Sequence, residues 1–215
     1  MQEIKPSHDR REYICINVDK VYDWVVKEMS FDFFHHADIY FEGVTPTTDF
    51  DHAVVTCKVT PAAHKPIVIM NREDRTFTID GSRVCLQHLN VQKNFIVHII
   101  VTLKNGIVYT SRGIPVTRCE QVTLCAPKGT DVEITYTDLD CFVCTTGSIE
   151  SKSNNHITFS ALQITVAVCQ SIQSTFPVTV EFLANYCEPR ADLPTSCSPT
   201  GRPKQCHGIF PSPHC

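Results

Sequence analysis

The chain has 215 residues, of which 42% are apolar and 20% charged, and its formal net charge is −4. That length suits one domain with extensions and a real core, and that composition excludes wholesale disorder. There is no run of Lys or Arg, which argues against a basic nucleic-acid footprint. The longest apolar stretch, Phe95–Leu103, is interrupted by His98 and is about half the length that spans a bilayer.

The charged start, MQEIKPSHDRREY, has no apolar h-region, so no Sec-type signal peptide is expected. Residues 1–50 read as an N-terminal arm. Within it, Asp19–Met29 is the one candidate helix, with Val21, Trp24, Val25 and Met29 at near-helical spacing and Asp19 as a cap. ICINV just before it reads as a strand, so YICINVDKVYDWVV also reads as one long strand, and both readings stay open. Trp24 is expected to anchor packing rather than to carry a ligand.

Residues 51–187 read as the folded core. Short β-branched runs bounded by Pro, Asn, Asp or Gly predict strands at 54–60, 67–70, 75–80, 83–89, 95–104 and 107–112. Asn105-Gly106 between the last two predicts a hairpin with a type I′ turn. Further strands follow at 116–125, 131–137, 141–144, 156–172 and 176–187. The alternation in ITVAV and VTVEF is that of half-buried antiparallel strands. Many strands without helices between them predict a mainly β protein, an antiparallel, jelly-roll-like β-sandwich.

Residues 188–215 form a Cys/Pro-rich tail with six of the thirteen prolines. Proline fixes φ and removes a donor, so neither helix nor central strand is expected there.

Chemistry is sparse. The sequence contains no GxSxG, HExxH, GxxxxGK[ST] or GxGxxG, so no catalytic residue and no cofactor is assigned. Asp138 and Asp140 in TDLD read as a solvated turn. His88 and His98 read as strand histidines with satisfied rings. Cys141-Phe-Val-Cys144 is a CxxC, and His35, His36, His207 and His214 offer nitrogen ligands, yet structural zinc needs two close pairs. A zinc site built from Cys141, Cys144, His207 and His214 is therefore the lesser alternative.

Twelve cysteines are many for a chain without an export signal. Cys57, Cys85 and Cys169 in strands read either as buried small hydrophobes or as thiols open to pairing, and both readings stay open. Cys187, Cys197, Cys206 and Cys215 are spaced by ten, nine and nine residues. Three of them lie in a tail that builds no core of its own, so they must be tied to the body, to each other or to another molecule.

YICINVDKVYDWVV, VTLCAPKGTDVEITYTDLDCFV and VAVCQSIQSTFPVTVEFLANYCEPR resemble blocks of Cys-rich spore coat, exosporium and spore-appendage proteins of endospore-forming Firmicutes, some with SPOCS-like β domains. The resemblance covers about a third of the chain. It implies a protein made in the mother-cell cytosol, assembled at the spore surface and cross-linked as conditions turn oxidising. It also implies structural roles for Cys15, Cys125, Cys141, Cys169 and Cys187. With Cys119, Cys144, Cys197, Cys206 and Cys215, these are the cross-link candidates. The expected function is a self-assembling structural subunit, in a fibre or a two-dimensional lattice. Its expected partners are itself and other spore-surface proteins, with neither nucleic acid nor membrane involved. A zinc-stabilised adaptor that recruits coat proteins is the alternative.

Overall fold

The computed structural model describes residues 12–184. Every regular element in that range is a strand: β1 (Glu12–His35), β2 (Ile39–Tyr40), β3 (Val54–Pro61), β4 (Ile67–Ile79), β5 (Ser82–Thr102), β6 (Val108–Thr110), β7 (Ile114–Leu124), β8 (Asp131–Thr145), β9 (Ile149–Ser153), β10 (His156–Phe159) and β11 (Leu162–Ala184). The mainly β, antiparallel fold expected from the sequence is present. One sheet has the order β1-β11-β8, a small one the order β2-β10-β9, and a third is centred on β5, which pairs with β3, β4, β6 and β7.

Asp19–Met29 is strand and not helix, because its exposure alternates with period two. Asp23, Val25, Lys27 and Met29 are half-buried, while Tyr22, Trp24, Val26 and Glu28 are exposed. β-branched and aromatic side chains suit a pleated surface, and β11 supplies the partner backbone. The expected boundary at residue 50 does not set off an arm: Phe31, Ile39, Phe41 and Val44 lie in the main core.

Several expected strands are parts of longer ones. The pieces at 67–70 and 75–80 are continuous in β4, and those at 83–89 and 95–104 in β5. Polar residues between the pieces, such as Asn90 and Asn94, sit on the outer row of β5; the β7 ladder runs past them unbroken, and the β4 ladder shifts register once, between Ile69 and Asn71, opposite Asn90. The pieces at 131–137 and 141–144 join in β8 across a bulge at Tyr136–Asp138. Asp138 and Asp140 therefore lie on a strand, not in a turn. Pro177 is tolerated in β11 because the ladder to β8 ends before it, at Thr175↔Asp131.

The hairpin at Asn105-Gly106 exists, but its turn is not type I′. Gly106 N–H donates to Leu103 O at 2.9 Å, and Gly106 alone has a positive φ, +85°. That is a type I turn with glycine in the left-handed bulge position, and Asn105 Oδ1 accepts from Ile107 N–H at 3.0 Å instead of adopting positive φ.

Contacts divide the chain into two units. In the unit of residues 18–178, β5 presents Leu89, Val91, Phe95, Val97, Ile99 and Val101 as one buried row. Ile164, Val166 and Val168 of β11 share a core with Phe95–Val101. Asp23 and Lys27 of β1 reach the β7 segment: Cys125 N–H donates to Asp23 Oδ2 at 2.7 Å and Lys27 Nζ to Gln121 O at 3.2 Å. In the terminal unit, Thr179 Oγ1 donates to Asn17 Oδ1 at 2.8 Å, and Tyr13, Ile16, Val180, Phe182 and Leu183 are exposed.

Candidate functional site

The chemistry-bearing groups are thiols, and β pairing decides which are spent. Cys57 on β3 and Cys141 on β8 form a disulfide with Cα atoms 5.9 Å apart. Of the two readings open to Cys57, the structure takes the paired one. The CxxC offers no thiolate pair in this state, since Cys141 is bridged and Cys144 Sγ lies 3.1 Å from Thr165 Oγ1. Among the described residues, no three His, Cys, Asp or Glu gather where a metal ion would be held. His207 and His214 lie outside the described residues, as do Cys187, Cys197, Cys206 and Cys215.

The remaining described cysteines are free. Cys15, Cys85, Cys119 and Cys144 are exposed, and Cys125 and Cys169 half-buried. Cys85 is not a core residue: it is exposed and stands opposite Thr76 on the β4–β5 hairpin. Cys119 stands opposite Gln92, with its side chain on the outer row of β7. Cys169 stands opposite Asp138.

Trp24 is not a core anchor. It is 62% exposed, and its indole N–H donates to Ser171 Oγ at 2.7 Å. Asp32, on the same outer row, accepts from Thr165 Oγ1 at 2.5 Å and Gln163 Nε2 at 3.1 Å. These two anchors run in opposite chain order, so β1 and β11 are antiparallel. The outer face of the β1–β11–β8 sheet thus carries Trp24, Val26, Phe142, Cys144 and Cys169 in ordered positions.

Sequence reading missed a buried polar network. Lys93 is fully buried on the inner row of β5 and donates to Glu120 Oε1 and Gln170 Oε1. Gln170 Nε2 donates to the same Glu120 oxygen at 2.9 Å, and Lys27 Nζ lies 3.4 Å from the other. Burial pulls Lys93 below the ordinary lysine range, against the upward pull of Glu120. Burial would raise Glu120, but the hydrogen bonds from Lys93 and Gln170 and the charges of Lys93 and Lys27 outweigh it and hold the carboxyl low. Two ammonium groups and an amide converge on Glu120, whereas Lys93 has one carboxylate. Tyr136, 6.0 Å from Lys93 Nζ at its ring centre, is pushed up by burial and by Glu120, so it stays a phenol. The signal was present in the sequence. Lys93 falls in strict alternation with Leu89, Val91, Phe95 and Val97.

The strand histidines are placed as expected, with one exception in their bonding. His98 Nδ1 lies 3.0 Å from Ser111 O. His88 Nδ1 lies 3.0 Å from Thr123 Oγ1, but its buried Nε2 has no partner among the described residues. His35 is lowered by burial and by its neighbour His36.

Two surface hollows, of about 480 and 650 Å³, lie around the 47–53 loop. Residues such as Thr48, Asp49 and Asp51 line both, and Lys104, Tyr109 and Glu150 line one or the other. Neither is lined by Lys93, Glu120 or Tyr136. Comparison with protein-family models, with curated proteins and with solved structures gives no match.

Proposed function

We propose that the chain is a structural, self-assembling subunit of the bacterial spore surface, in an exosporium or coat layer or an appendage fibre, cross-linked by disulfides. One observation carries the assembly part. Among the described residues of the 18–178 unit, a stapled all-β body holds five free thiols, three of them exposed on separate strands. Free thiols at fixed positions on a rigid body suit links to neighbours, because a disulfide needs close Cβ atoms that rigid docking can provide. The body is read as the jelly-roll-like sandwich, in keeping with the core that β5 and β11 share. The spore setting, synthesis in the mother-cell cytosol and company with other spore-surface proteins rest on the sequence resemblance.

Each link joins two thiols, breaking two S–H bonds and forming one S–S bond, and the two electrons and two protons lost are taken up by dissolved dioxygen, which becomes hydrogen peroxide. Intermolecular disulfides then make the assembly kinetically resistant to heat until a reductant is added. The test is sedimentation and electron microscopy of air-oxidised full-length protein beside a chain ending at Cys187. The full chain is expected to pellet as regular polymers resistant to hot detergent, while the truncated chain stays folded and assembles poorly. A full-length chain that remains monomeric after oxidation would overturn the reading.

A further inference from the structure

We propose that the outer face of the β1–β11–β8 sheet is the docking surface for the C-terminal segment, residues 193–215, of a second copy of the chain. The proposal rests on the self-assembly reading above and names its receiving surface.

The face is acidic. By β register and alternation it presents Glu28 and Asp32 from β1, and Asp131, Glu133, Asp138 and Asp140 from β8. Among the described residues of these rows the one cation is Lys20, whose ammonium sits 4.6 Å from the Tyr22 ring centre. No ion pair among the described residues engages the six carboxylates. The same face exposes Trp24, Val26, Phe34 and Phe142, and it carries the free thiols of Cys144 and Cys169.

Residues 193–215, LPTSCSPTGRPKQCHGIFPSPHC, are complementary on every count. They contain Arg202, Lys204, His207 and His214 and neither Asp nor Glu. They contain Ile209-Phe210 for the apolar patch and three thiols, Cys197, Cys206 and Cys215. Five prolines, at 194, 199, 203, 211 and 213, remove donors that an added strand would need, so a sheet face suits this segment better than a sheet edge. Two copies of the face cannot dock on each other, since that sets carboxylates against carboxylates. A segment-on-face contact is heterologous, and when its geometry does not close it propagates into a filament. Closing a tail thiol onto Cys144 or Cys169 forms one S–S bond, and the two protons and two electrons that the thiols lose go to dioxygen, which becomes hydrogen peroxide.

The test mixes ¹⁵N-labelled and unlabelled full-length chains, oxidises them in air, blocks free thiols and identifies cross-linked peptides by mass spectrometry. Mixed-isotope peptides joining Cys197, Cys206 or Cys215 to Cys144 or Cys169 are expected. Glu133→Lys with Asp138→Lys, both exposed, should lower their yield about tenfold. Arg202→Glu with Lys204→Glu should restore it in the charge-reversed partner. Tail cysteines joined only within one chain, joined instead to Cys15, Cys85 or Cys119, or insensitive to the face charges would overturn the proposal. Reducible polymers without tail-to-face peptides would leave self-assembly standing and remove this docking surface. No polymer at all would remove both.

Discussion

Cys57 and Cys141, separated by 84 residues in sequence, are joined by a disulfide that ties β3 to β8. Such a bridge restricts the unfolded chain more than a short-loop bridge does. Loop-closure entropy puts its contribution at roughly 3–4.5 kcal/mol. The double variant Cys57→Ala/Cys141→Ala should lose that much in urea unfolding, with the other thiols blocked in both proteins. An unchanged midpoint would mean the bridge is absent in solution.

The Lys93–Glu120–Gln170 network predicts asymmetric mutational costs. Lys93→Met strips Glu120 of its buried partner and should cost about 3 kcal/mol, the lower end of the usual range because Lys27 remains nearby. Lys93→Met with Glu120→Leu should recover most of the loss, since no buried charge is then stranded. Urea midpoints of the two variants decide the point, and equal losses in both would refute it.

Glu120 also sets a pH dependence. Its folded pKa lies below the ordinary 4.5, so the folded state holds fewer protons than the unfolded chain between the two values. The stability it contributes is complete above the unfolded pKa and is lost as pH falls through the folded one. Glu120→Gln should therefore flatten the acid limb of a stability-against-pH curve below about pH 4.5. The same acid slope in variant and wild type would exclude Glu120 as its source.

Among the described residues, Gly147 is the least replaceable glycine. It has φ +61°, and a Cβ there would meet Ala161 N at 2.8 Å and crowd Ser160. Backbone cannot give way as a flexible side chain does. Gly147→Ala should cost about 2–4 kcal/mol, read as a fall in Tm.

Thiol reactivity should follow exposure. Under reducing-agent-free conditions Cys15, Cys85, Cys119 and Cys144 should alkylate first, Cys125 and Cys169 later, and Cys57 and Cys141 only after reduction. Quantitative peptide mapping over time gives the order, and early labelling of Cys57 would contradict the structure.

Much of the fold was legible because β patterning is local. The alternation of 162–172 and the 54–60 run announce β11 and β3 in their own residues. Where the reading stopped short, the deciding partner was distant in sequence. Asn90 and Asn94 look like breaks until β7 supplies Gln121 and Thr117 opposite them. Asp19–Met29 fits helix or strand until β11 is beside it. The Cys57–Cys141 pairing leaves no mark in the sequence, since either cysteine is compatible with several partners. Lys93 is different. Its row was readable, and the rule that lysine stays outside gave way to two acceptors brought from β7 and β11.

The most direct test of inter-chain linkage is a boiled detergent gel of air-oxidised full-length protein, run with and without strong reductant. A ladder or well-retained material that collapses to the 24.2 kDa monomer only with reductant is the predicted result. A clean monomer in both lanes would contradict disulfide-linked assembly and would confine the cystines to single chains.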